Sequence, residues 1–167
     1  GKERIAILEE VRKDRDEGHP KVRSSLADLS NTPSPVISPL VCEIIRKVTS
    51  NAHEIDDKWA KEAIGRIGEG KYSELVSLVV NILPIDIFCL LLGRPVVSLP
   101  VPKNGKPDES IPDGLADGGA FVPWRTENWV GPNVARALSF VEKENAIRMK
   151  LVESMYAGSD KFISMIW

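Results

Sequence analysis

Along most of this chain, apolar residues recur at helical spacing, and proline and glycine punctuate the intervals. Ile5, Leu8 and Val11 stand among charges and predict a surface helix over 3–17, stopped by Gly18, His19 and Pro20. The charge run at 12–17, RKDRDE, reads as the solvated, salt-bridged face of that helix. Between Ser30 and Pro39, three prolines, Asn31 and several serines predict a connector, with Ser38 as the cap and Pro39 as the first residue of the next helix. Leu40, Val41, Ile44, Ile45 and Val48 then mark the buried side of that helix, with Cys42 just off the stripe. After the loop SNAHEI, Asp56 and Asp57 suit a helix start, where free amides and the positive dipole end favour carboxylates. Trp59, Ala60, Ala63, Ile64 and Ile67 form the next inward face, closed by Gly68 and Gly70.

The segment 72–92 differs from these. Leu75, Val76, Leu78, Val79, Val80, Ile82, Leu83, Ile85, Ile87, Phe88, Leu90, Leu91 and Leu92 leave almost no polar side, so the helix must be covered all round, by its own domain or by another subunit. Pro84 is expected to kink it and Gly93 to end it. Asn81, Pro84 and Asp86 interrupt the run and no basic flank anchors it, which favours a buried helix of a soluble protein over a membrane span.

From 94 to 132 the pattern dissolves. Seven prolines and five glycines predict a long extended arm gripped by Val122, Trp124, Trp129 and Val130. A last helix is expected from Pro132 and Asn133 to Gly158, followed by FISMIW, which reads as the start of a further helix. The organisation expected is therefore an N-terminal helix and connector (1–38), a helical core (39–93), the arm (94–132) and C-terminal helices (133–167), all-α in class.

Composition narrows the function classes. Twenty-two basic against twenty-four acidic residues give a net charge of -2, and aromatics make up only 6%, so neither a polyanion footprint nor a base-stacking surface is present. No nucleic-acid partner and no membrane partner is expected. Two cysteines, far apart and without metal-ligand spacing, fit a reducing, cytoplasmic setting, and no motif implies a metal or other cofactor.

The run PLVCEIIRKVTSNAHEIDDKWAKEAIGRIGEGKYSELVSLVVNILPIDIFCLLLGRPVVSLPVP combines an acidic cap with a tryptophan, glycines, YxELVxxV and an apolar helix ending in LG. In this order of elements it resembles the helical repeat of the carboxymuconolactone decarboxylase and alkylhydroperoxidase D (AhpD)-like families. GGAFVPW and GPNVARALS are similar to the linker and the opening of a second repeat. The resemblance implies an AhpD-like helical bundle of peroxidase (antioxidant) or carboxy-lyase descent, assembled as a homo-oligomer through the apolar helix and the arm. AhpD-like peroxidases work through a CxxC pair with a nearby glutamate and histidine; this chain has no CxxC, so no catalytic residue carries over. In longer relatives that motif lies in the other repeat. A catalytically silent domain for assembly, or for binding an apolar small molecule, is the competing expectation.

Five residues are candidates for a pocket or an interface: Tyr72, Glu74, Asp86, Cys89 and Trp124. Asp86 is a carboxylate in an apolar helix, which must be paired, hydrogen-bonded or protonated; Arg46, Lys47 and Arg94 are the expected partners. Cys89 follows one turn later, where burial and an acidic neighbour favour a packed, unreactive thiol. Tyr72 and Glu74 open the helix near the family's subunit contact. Trp124 anchors the arm or covers a ligand. His53 with Glu54, Asp56 and Asp57 reads as a solvated loop rather than a metal cluster.

Overall fold

The computed structural model describes residues 1–18, 21–102, 112–116, 121–125, 136–141, 146 and 150. His19, Trp129, Val130, most of the expected C-terminal helix and FISMIW lie outside these residues. The described chain is mostly helical, and it divides into two compact units, Gly1–Ile111 and Pro112–Trp167, with the division inside the proline-rich stretch.

The first unit holds four helices: α1 (Lys2–Asp16), α2 (Pro39–Ser50), α3 (Asp57–Ile67) and α4 (Glu69–Leu91). α2 starts as its sequence dictates, with the Ser38 hydroxyl accepting the Val41 amide at 3.2 Å and Pro39 inside the first turn, where its missing donor costs nothing. Leu40, Val41, Ile44, Ile45 and Val48 are all buried, so this helix is the centre of the core. The Asp56 carboxylate caps α3 by accepting the Trp59 amide at 2.8 Å. Trp59, Ala60 and Ala63 are buried, whereas Ile64 and Ile67 are only half-covered. Gly68, at φ +84°, turns the chain directly into α4.

α1 lies against both α2 and α4, and its inward side is less apolar than its sequence suggests. Ile7, Val11 and Asp14 follow at i, i+4, i+7, and all three are buried. Leu8, Arg12 and Arg15 form a second row with the same spacing. Each row therefore begins with hydrocarbon and ends with charge. The solvated face expected for 12–17 is corrected at Arg12, Asp14 and Arg15, which periodicity turns inward.

The connector 21–38 is laced onto the helices. Leu26 is fully buried; its amide donates to Glu62 at 3.1 Å, and the Arg66 guanidinium donates to the carbonyls of Leu26 and Leu29. The Arg23 amide donates to Glu43 at 2.5 Å.

α4 corrects the largest expectation from sequence. It runs unbroken through Pro84 to Leu91, and its first half is core: Tyr72, Ser73, Leu75, Ser77 and Val79 are buried. Its last two turns are not covered. Ile85, Ile87, Phe88, Leu90, Leu91 and Leu92 are all among the exposed large side chains, with Leu91 80% exposed. By length and composition alone α4 is apolar enough to cross a membrane. The physical reason for the difference is geometric: α2 and α3 have 12 and 11 residues against 23 in α4, so α4 outruns the helices that pack on it.

The described residues of the second unit contain a two-residue antiparallel pair, β1 (Leu115–Ala116) with β2 (Trp124–Arg125), and one 3-10 turn, Ser139–Val141. A short strand pair thus sits within the stretch expected to be a plain extended arm. Val122 of that stretch and Leu138 beyond it are buried.

Candidate functional site

Near the C-terminal end of α4 one polar group lies inside an apolar wall. Asp86 is fully buried and holds two guanidiniums from α1. Arg12 grips it bidentately, Nε to Oδ2 at 2.7 Å and Nη2 to Oδ1 at 2.9 Å, and Arg15 Nη1 donates to Oδ2 at 2.5 Å. The paired-fork geometry of arginine and carboxylate makes this a charge-assisted contact of fixed orientation. Arg12 also donates to the Val97 carbonyl at 2.6 Å, tying down the chain just beyond α4, and Arg15 donates to Asp16 at 2.8 Å. Two arginines and two aspartates therefore compensate one another.

The partners of Asp86 differ from those expected. Arg46 instead pairs with Asp14 and Glu43, Lys47 with Glu54, and Arg94 has its backbone amide on the Cys89 carbonyl in the turn after α4. Sequence separation hides the true partners: Arg12 and Arg15 stand 74 and 71 residues away. The available signal was their i, i+4, i+7 register with Leu8, which places them on the buried side of α1 whatever their polarity.

A second charged cluster lies between α1 and α2. Asp14 is fully buried; its Oδ1 accepts from Arg46 at a long 3.4 Å, and its Oδ2 has no hydrogen-bond partner among the described residues. Burial pushes the Asp14 carboxyl above its ordinary range, with Arg46 opposing. Burial also pushes the Cys42 thiol up, helped by Glu10. Such a thiol carries less thiolate at neutral pH, the opposite of what attack on a peroxide needs.

The five candidate residues do not converge. Tyr72 and Glu74 stand at the start of α4, 14 and 12 residues before Asp86, or roughly 20 Å along the axis at ~1.5 Å per residue. Tyr72 is a core residue whose hydroxyl is pushed up to about 12 by burial, and Glu74 is ion-paired with Arg4 of α1. Cys89 is half-buried one turn after Asp86, whose carboxylate is committed to the two arginines. Trp124 belongs to the second unit, where the Arg136 guanidinium stacks 4.2 Å from its ring centroid and also donates to the Arg125 carbonyl.

His53 is exposed, Glu54 pairs with Lys47 at 2.8 Å, and Asp56 caps α3, so the loop acids are each occupied structurally. Comparison with family models, with curated proteins and with solved structures finds no match to this chain. Its own geometry is therefore what bears on function: a helix locked at Asp86 by two arginines and continuing from there as an uncovered apolar tip.

Proposed function

We propose that this chain is a helical docking module of AhpD-like descent that works by presenting an apolar helix end to an apolar partner, rather than by thiol chemistry. The observation that carries this reading is the tip of α4, where Ile85, Ile87, Phe88, Leu90, Leu91 and Leu92 are exposed together. Six large apolar side chains exposed within eight consecutive residues are a concentration of uncovered hydrocarbon, unlike the singly scattered apolar residues of an ordinary surface, and such concentrations mark binding surfaces. The lock at Asp86 supports the same reading, because it fixes the direction of the tip and gives the uncovered turns a rigid root.

A thiol peroxidase reading draws less support. Cys42 is disfavoured as a thiolate by burial, and Cys42 and Cys89 stand on different helices without a CxxC relation.

The test is the binding of an environment-sensitive apolar dye at nanomolar protein. Wild-type protein is expected to enhance its emission several-fold more than Phe88→Glu or Leu91→Glu. Far-UV circular dichroism should be unchanged, since both positions are exposed. Equal emission from wild type and both variants would remove the tip as the binding surface.

A further inference from the structure

We propose that Thr32, in the connector before α2, is a phosphorylation site for a proline-directed serine/threonine kinase, a property separate from the docking role of α4. Three of the chain's twelve prolines follow a serine or a threonine, and all three fall here, as Thr32 before Pro33, Ser34 before Pro35 and Ser38 before Pro39. Proline after the acceptor has no amide donor, so it suits a cleft that offers that position no acceptor, where any other residue would leave its N–H unpaired. Proline also holds the residue before it out of the helical region, in the extended form that a kinase cleft grips.

The fold separates these three dipeptides. Residues 31–36 are all exposed, on a loop whose ends are tied where the Leu40 amide donates to the Ser30 carbonyl at 3.1 Å. Thr32 stands on that loop. Its amide donates to the Ser30 hydroxyl at 3.1 Å, while its own hydroxyl has no hydrogen-bond partner among the described residues. Ser34 is exposed too, but its amide donates to the Ile37 carbonyl at 3.0 Å, closing a turn through Pro35 and Val36 that keeps this dipeptide from lying extended. Ser38 is only 3% exposed, and its hydroxyl is committed to the Val41 amide and to Asn31. One acceptor of the three is therefore both reachable and uncommitted.

In the transfer, Thr32 Oγ1 forms a bond to the γ-phosphorus of ATP, the bond from that phosphorus to the β,γ-bridging oxygen breaks with its electron pair leaving on ADP, and the hydroxyl proton passes to the base of the kinase. The product carries about -1.5 to -2 charges at pH 7. No charged side chain stands between Asp28 and Glu43, so this is the first charge of the loop. It falls next to Asn31, whose side chain accepts from Ser38 at 3.2 Å and donates to the Arg66 carbonyl at 3.1 Å, joining the start of α2 to the last turn of α3. The positive end of the α2 dipole favours an anion on this side, so the folded chain tolerates the phosphate.

The test incubates the full chain with a purified proline-directed kinase and ATP, beside a synthetic peptide of residues 28–42, and reads phosphate by position with tandem mass spectrometry. The full chain is expected to take phosphate at Thr32 at least about tenfold faster than at Ser34 or Ser38, whereas the peptide, which lacks the cap and the closed turn, takes it at all three. Thr32→Ala and Pro33→Ala should each lower total incorporation at least about tenfold, with far-UV circular dichroism unchanged because both positions are exposed. A full chain that takes no phosphate at Thr32 overturns the proposal. So does equal phosphorylation of Thr32 and Ser38 in the full chain, or a Pro33→Ala variant modified as fast as wild type.

Discussion

At Asp86, two guanidiniums and a buried carboxylate form a set whose members cannot be removed singly without cost. Taking one charge away leaves the others desolvated, which typically costs about 3–5 kcal/mol. Asp86→Asn is therefore expected to lower the unfolding midpoint of the first unit by roughly 6–20 °C, at about 2–4 °C per kcal/mol for a chain of this size. A melt within 2 °C of wild type would show the lock to be dispensable. Asp14 should behave in the opposite sense. Its folded carboxyl sits above the ordinary aspartate value, so the folded protein holds the proton more tightly than the unfolded chain does. The ionised form destabilises at neutral pH, and the penalty is relieved as pH falls toward the ordinary aspartate range. Asp14→Asn should equal or exceed wild type in stability at pH 7, and denaturant midpoints should show the difference narrowing in acid. Tyr72 provides a third check. Its hydroxyl, raised to about 12, contributes stability that is whole below pH 10 and is lost as pH climbs through 12, and an ultraviolet titration should show one tyrosine ionising that late.

The helices divide into those legible in the sequence and one that was not. α2 was clear down to its cap, because Ser38, Pro39 and the stripe from Leu40 to Val48 agree with one another at every level. Ser38→Ala should remove the cap bond and cost about 1 kcal/mol, seen as a shifted urea midpoint with unchanged slope. α1 was legible as a helix but not in its facing. Polarity argued for solvent at Arg12, Asp14 and Arg15, while their register with Ile7, Leu8 and Val11 placed them inside. For α4 the reverse held: its composition called for cover on all sides, and composition carries no information about how far a neighbouring helix reaches. The candidate residues on it were found by type, yet spacing along a rigid rod keeps Tyr72 and Glu74 a helix half-length from Asp86 and Cys89.

At the scale of the whole molecule, an assembly role and an enzymatic one predict different behaviour toward peroxide. Dithiol-dependent turnover of an alkyl hydroperoxide is expected to be no faster with the protein than with Cys89→Ser. Turnover that disappears in that variant would restore a thiol mechanism. Cys42 should react slowly with a neutral alkylating agent at pH 7 and accelerate only as pH rises beyond the ordinary thiol range, because burial holds its proton.

Arg12 reaches both the Asp86 carboxylate and the Val97 carbonyl, residues made 74 and 85 positions after it. During synthesis at about 5–20 residues per second, Arg12 must wait roughly 4–15 s before the nearer partner exists. Through that interval Arg12 and Arg15 have no carboxylate of α4 to enter, and their preference for water disfavours collapse of that row onto unfinished neighbours, whereas Asp14 meets Arg46 of α2 only 32 residues on. The charge that makes α1 look like a surface helix thus also keeps its Arg12 and Arg15 row soluble until α4 exists to receive it.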